Sequence, residues 1–180
     1  MRVSWLREDE SLVTVTPSEG SMDGTQPLSP AFPSGRRYVT GLDENGRSCL
    51  VDVGSAPASV RWDQPDSFMH DFWVVPSLPA PLLEAVNPAE GWQPVNQPPV
   101  GGVIGRFITW APGFHYPVHT TSTLDFMIML SGQLEIGLDT GTQILQPGDV
   151  LVQRGTAHSW RNPGPDPCIF VSIMIDAITA

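Results

Sequence analysis

From Arg36 onward the chain is a succession of short apolar runs broken by turn residues. The runs Val103 to Trp110, Asp125 to Leu130, Gln133 to Leu138, Thr142 to Leu145, Val150 to Gln153, His158 to Arg161 and Ile169 to Ile175 have strand length and carry many β-branched or aromatic residues. Ser131-Gly132, Asp139-Thr140-Gly141, Pro147-Gly148-Asp149 and Asn162-Pro163-Gly164-Pro165 separate them as turns. Upstream, Arg37 to Thr40, Cys49 to Val53 after an Asn45-Gly46 turn, Val60 to Trp62 and Phe72 to Val75 continue the same cadence. Regular short strands with Gly and Pro punctuation predict an all-β sandwich or barrel.

Three segments follow from this pattern. Residues 1–35 are rich in Ser, Pro, Gly and Asp, with only Ser11 to Val15 resembling a strand, and are expected to be an arm lying on the barrel of its own subunit or a neighbour. Residues 36–99 add further strands and a Pro-rich connection from Pro76 to Pro99, in which Leu82 to Val86 has room for one or two helical turns. Residues 100–180 form the barrel core. No internal repeat suggests a second barrel.

Composition narrows the classes of function. With 180 residues, 41% of them hydrophobic, the chain is expected to be one domain with its own core. Its longest apolar runs, such as Phe126 to Leu130, fall far short of a membrane span, and acidic residues as early as Glu8-Asp9-Glu10 do not suit a signal peptide. A cytoplasmic protein is the expectation. A net charge of -10 opposes binding to phosphate backbones or anionic membrane. All nine basic residues are arginine, so Schiff-base chemistry and a phosphate-loop lysine are excluded by residue type. Cys49 and Cys168 are read as two reduced thiols.

The candidate chemistry lies in Gly113-x5-His119-x-Thr121-x3-Asp125-x6-Gly132 and in Gly148-Asp149, Gly155-x2-His158-x3-Asn162. These stretches resemble the paired motifs of the cupin superfamily, which implies a single cupin (jelly-roll) β-barrel bearing the N-terminal arm and extra strands. Thr121 stands where the family has its second histidine and Asp125 where it has glutamate, while the second motif is one residue short at Arg154-Gly155. Carried over position by position, the resemblance implies His119, Asp125 and His158 as ligands of a divalent metal ion. This is the 2-His-1-carboxylate set that holds non-haem iron in other folds, so Fe(II) comes first, with zinc, manganese, nickel and copper compatible with the same donors. The chain also resembles a narrower group of short cupins with His-x-Thr-x-x-Leu-Asp and Gln-Arg-Gly-Thr-x-His-x-Trp-Arg-Asn, here His119 to Asp125 and Gln153 to Asn162. Such proteins occur beside secondary-metabolite genes and are often labelled oxidoreductases. The resemblance also implies a homodimer.

Other residues are read on their own chemistry. Thr121, a weak metal ligand, suits a hydrogen bond to a bound water or the substrate. Asp125 either serves the site as ligand or proton partner, or closes the turn after Thr120 to Thr123. His115 is a rim residue, a general base or a fourth ligand, and Pro117 separates it from His119. Trp160 shares strand parity with His158 and is placed in the pocket wall, with Met127 and Trp110 as further wall candidates. Arg106, an isolated charge among apolar residues, is a candidate partner for a substrate carboxylate if it points inward, and Gln153 a candidate polar contact. The run His70-Asp71-Phe72-Trp73 is read as a lid or a dimer contact.

These features predict a metal-dependent enzyme acting on a small aromatic or enolisable organic molecule, of oxidoreductase or dioxygenase type, with His119, His158, Asp125 and His115 as its reactive groups. The alternatives are a lyase, dehydratase, cyclase or isomerase, with or without metal, and a non-catalytic ligand-binding barrel.

Overall fold

The computed structural model describes residues 36–178, apart from residues 57, 65 and 84–90. The expected arm at residues 1–35, and the last three residues of the expected helical turn Leu82 to Val86, lie outside them. The described residues form twelve strands and no helix. The strands are β1 (Arg37–Leu42), β2 (Ser48–Gly54), β3 (Ala58–Arg61), β4 (Phe68–Val75), β5 (Val103–Trp110), β6 (His115–His119), β7 (Thr123–Ser131), β8 (Leu134–Leu138), β9 (Gly141–Leu145), β10 (Val150–Gln153), β11 (His158–Arg161) and β12 (Cys168–Asp176). All pairings are antiparallel. A six-stranded sheet in the order β10-β7-β12-β5-β4-β3 and a four-stranded sheet in the order β6-β11-β8-β9 make the body, and β1-β2 form a separate hairpin. The fold is all-β, as the spacing of turns predicts, and a jelly roll, as the motif resemblance implies.

Period-two alternation puts the side chains where they are. In β7, Thr123, Asp125, Met127 and Met129 are buried, whereas Phe126, Ile128 and Leu130 are exposed on the opposite face. The core draws Ile108, Trp110, Met127, Met129 and Phe170 from the larger sheet, and Leu134, Ile136, Leu145 and Trp160 from the smaller one. Trp110 is its centre. It stacks on Phe114 with ring centroids 4.4 Å apart and meets Phe170 edge-on at 5.0 Å. Burying each such side chain contributes about 1.5–3 kcal/mol, and an aromatic pair adds about 0.5–1.5 kcal/mol.

Two motif residues act as braces. The Asn162 side chain is fully buried, donates to the carbonyls of Trp110 and Asp166 at 2.9 Å each, and accepts from Gly164 N–H at 3.0 Å. It ties the turn after β11 to the end of β5. Gly155 has φ +69°, and a Cβ there would lie 2.7 Å from the Thr121 carbonyl oxygen. Glycine therefore lets the β10–β11 turn press on the loop before β7. No helix among the described residues is long and apolar enough to cross a membrane.

One element departs from the expectation. His115 to His119, interrupted by Pro117, nonetheless forms β6 against β11. His158 faces His119 and Trp160 faces Tyr116, so the single residue Ser159 lies opposite both Pro117 and Val118. This is a bulge, and proline, which has no N–H to give a ladder, is tolerated there.

Candidate functional site

A cavity of about 190 Å³ opens between the two sheets. Its chemistry comes from His119 on β6, His158 on β11 and Asp125 on β7, set in a wall that includes Trp110, Tyr116, Met127 and Trp160. The bulge in β6 decides which histidine enters. Strict alternation would place His115 and His119, four residues apart, on one face. The extra residue moves Tyr116 and His119 to the cavity side, and His115 is exposed and lies outside the lining.

The two imidazoles are in contact, with ring centroids 4.2 Å apart. Each has its Nδ1 against a backbone carbonyl, that of Pro117 at 2.9 Å for His119 and that of Thr156 at 2.7 Å for His158. A carbonyl oxygen only accepts, so each Nδ1 carries the hydrogen and each neutral ring keeps its lone pair on Nε2. His158 is 2% exposed, and burial lowers its pKa below the ordinary histidine value, so it favours the neutral form. Tyr116 meets His119 edge-on at 4.6 Å and Trp160 meets His158 edge-on at 5.0 Å, which holds both rings in place.

Asp125 is 6% exposed, and its Oδ1 has no hydrogen-bond partner. Burial raises its pKa, opposed by the Thr123 hydroxyl, the Arg106 guanidinium and the His119 ring. The Thr121 and Thr123 hydroxyls share a hydrogen bond of 2.8 Å, and Thr121 lines the cavity.

These donors suit a divalent ion in one respect. Two imidazoles whose Nδ1 is anchored on a carbonyl, so that Nε2 is the atom left to ligate, are the arrangement in which histidine binds metal, and an orphaned carboxylate oxygen lies in the same cavity. The third member stands apart, since no group of three His, Cys, Asp or Glu among the described residues is close enough to hold an ion. The structure thus brings His119 and His158 together and leaves Asp125 as a separate wall residue.

Trp110, Trp160 and Met127 line the cavity, with Trp110 and Trp160 rings 6.4 Å apart. Two placements differ from the expectations. Arg106 does point inward and lines the cavity, but its charge is matched within the protein: Nε lies 2.9 Å from Asp71 Oδ1, and Nη2 donates to Asp71 Oδ2 at 3.2 Å and to the Val95 carbonyl at 2.8 Å. A substrate carboxylate would compete with a buried aspartate. Gln153 is buried outside the lining, where its Oε1 accepts from Thr156 N–H at 3.1 Å and from the Thr156 hydroxyl at 2.9 Å, closing the turn before β11. Asp71 is fully buried as the counter-ion of Arg106.

Sequence reasoning passed over Trp62, Tyr116, Asn96, Gln97 and Ser172, all of which line the cavity. Ser172 had a usable signal, because it shares parity with Phe170 and Met174 on a buried strand. Asn96 and Gln97 had none, since the Pro-rich connection that carries them has no period.

The Cupin domain family matches residues 106–174, the span that holds Asp125 and both histidines. Over 139 residues the chain is 32% identical to Oryzines biosynthesis cluster protein J of Aspergillus oryzae, a match that takes in 73% of this chain and 76% of that protein. It is 32% identical over 141 residues to Phomopsin biosynthesis cluster protein D of Diaporthe leptostromiformis, covering 74% of each. It is 29% identical over 132 residues to the cupin-domain-containing oxidoreductase fogC of Aspergillus ruber, covering 70% of this chain and 63% of that protein.

Proposed function

The chain belongs to the cupin family, and from that premise we propose that it is an oxidoreductase acting on a small aromatic or enolisable organic molecule, with a divalent metal held by Nε2 of His119 and Nε2 of His158. The observation that carries this reading is the contact of the two imidazoles, 4.2 Å apart with both Nδ1 atoms anchored on carbonyls. When bound, such an ion would supply Lewis-acid polarisation of a substrate oxygen. The oxidoreductase class is supported by the name of the Aspergillus ruber relative.

The chain's own side chains do the rest. Asp125, whose pKa is raised by burial, holds a proton at the carboxyl more tightly than a free aspartate and offers it to a substrate oxygen. Trp110, Trp160, Tyr116 and Met127 exclude water and present flat or deformable apolar surface. The cavity of about 190 Å³ is somewhat larger than an engineered cavity of about 150 Å³ that accepts benzene, which sets the scale at one ring with its substituents. Thr121 at the wall positions a substrate hydroxyl or carbonyl.

A second reading is metal-free acid–base catalysis, in which neutral His158 is the base and Asp125 the acid. It is favoured by the separation of Asp125 from the two histidines. Loading chelator-stripped protein with Fe(II), Zn(II), Mn(II) or Ni(II) under anaerobic conditions and measuring bound metal by mass spectrometry separates the two. The metal reading expects about one equivalent in wild type and in His115→Ala, and a large loss in His158→Ala. Equal metal in wild type and His158→Ala overturns it, and no metal in any of them leaves the acid–base reading.

A further inference from the structure

The connection between β4 and β5 returns across the cavity as the strap Trp92-Gln93-Pro94-Val95-Asn96-Gln97. It is fastened at three points that local sequence does not require. Trp92 packs on buried Val74 and Ile104, and its Nε1 donates to Asp71 Oδ2 at 2.8 Å. The Val95 carbonyl accepts from Arg106 Nη2 at 2.8 Å. Gln97 Oε1 accepts from Ser122 N–H at 3.2 Å, on the loop whose Thr120 and Thr121 also line the cavity. Asn96 and Gln97, at the end of the strap, are cavity-lining residues.

The first two fastenings converge on one ion pair. Asp71 is 0% and Arg106 3% exposed, and removing two charges from water is costly unless each is fully engaged. Asp71 engages both Arg106 and the strap's Trp92, while Arg106 engages both Asp71 and the strap's Val95 carbonyl. A pair serving only the stability of the sheet could be replaced by apolar residues of similar volume. Instead both partners extend a hydrogen bond into an otherwise irregular segment.

We propose that Trp92–Gln97 is the closing wall of the substrate pocket, that Asn96 and Gln97 are its specificity-determining residues, and that the Asp71–Arg106 pair is the positioning device that latches it. Two carboxamides on the lining offer hydrogen bonds, Gln97 mainly through its NH2 because its Oε1 already accepts from Ser122 N–H, and so select substrates bearing polar substituents. The inference is independent of whether the reaction uses a metal.

Carbethoxylation of histidine by diethyl pyrocarbonate, followed by peptide mass spectrometry on chelator-treated protein, tests it. His115 is exposed and serves as the internal standard, and His158 lies within the cavity. Breaking a charge-assisted hydrogen bond of the latch raises the open population by about tenfold, so the His158-to-His115 rate ratio rises by about that factor in Arg106→Met. Trp92→Phe, which keeps the ring packing and removes only the N–H, gives a smaller rise and serves if Arg106→Met does not fold. Backbone hydrogen exchange in residues 92–97 increases in the same variants, with β8 and β9 unchanged. Gln97→Ala raises the ratio without disturbing the ion pair. An unchanged ratio in folded Arg106→Met or in Trp92→Phe, or faster exchange spread over β8 and β9 as well as the strap, overturns the proposal.

Discussion

His119 and His158 stand directly opposite each other in the antiparallel pair of β6 and β11, their rings 4.2 Å apart, because a bulge at Pro117 and Val118 turns His119 into the cavity. Without that extra residue the inward positions of β6 would fall on different side chains. The bulge therefore does the selecting that alternation alone cannot, and it leaves His115 on the outside.

The burial of His158 has a consequence for acid stability. Its folded-state pKa is lowered from the ordinary value by desolvation, so the unfolded chain takes up the proton first. Stability is then unaffected above the unfolded value and is lost as pH falls below it toward the folded value. His70, lowered by the same cause, acts in the same direction. Thermal melts of metal-stripped protein from about pH 7.5 to about 5.5 are expected to show a shallower decline for His158→Gln than for wild type. Parallel declines would count against a buried neutral ring.

Asp125 behaves oppositely. Its pKa is raised by burial, so the native state binds the proton more tightly than the unfolded chain, and stability falls as pH rises from the free aspartate value through the folded one. Wherever the carboxylate is ionised, it is a cost carried by the site. Asp125→Asn is expected to stabilise the metal-free protein by about 1 kcal/mol at neutral pH, with a smaller gain in acid, while lowering activity. A loss of stability at neutral pH would contradict the assignment.

The strands and the paired histidines were legible in the sequence because both depend on local signals: turn chemistry, β-branched runs and the spacing of two motifs. Trp160 followed from its parity with His158, and it does share the cavity wall. For Arg106 the sequence left inward and outward orientations equally open, and its engagement was not readable, because its partner Asp71 lies 35 residues away on β4 and the contact depends on strand order. Gln153 looked like a site residue for the same reason that it is a turn brace, a polar group next to Arg154-Gly155. The strap was invisible, since its place is fixed by side-chain hydrogen bonds from an aperiodic, proline-rich segment.

Gly155 offers a test of how tightly the loops behind the site are fitted. Its φ of +69° is unfavourable for any residue with a Cβ, and that Cβ would lie 2.7 Å from the Thr121 carbonyl oxygen. Gly155→Ala is expected to cost about 1–3 kcal/mol and to displace Thr121 from the cavity wall. Denaturant unfolding gives the first quantity. A variant as stable as wild type would show that the two loops are not pressed together in solution.

The Asp71–Arg106 pair gives the sharpest energetic expectation, because it is asymmetric. Removing Asp71 alone leaves Arg106 charged and buried, its remaining acceptor being the Val95 carbonyl, and should cost about 3–5 kcal/mol. Replacing both, as Asp71→Leu with Arg106→Met, removes the two desolvated charges together and should recover most of that loss, although Trp92 Nε1 and the Val95 carbonyl lose their partners. In the double-mutant cycle, measured by urea unfolding, the double variant should therefore lose far less stability than the sum of the two single variants. If the double variant is stable yet its His158 reacts readily with diethyl pyrocarbonate, the charges are retained to hold the strap and not the sheet. If it is stable and His158 stays protected, apolar packing suffices to close the cavity and the latch has no such role.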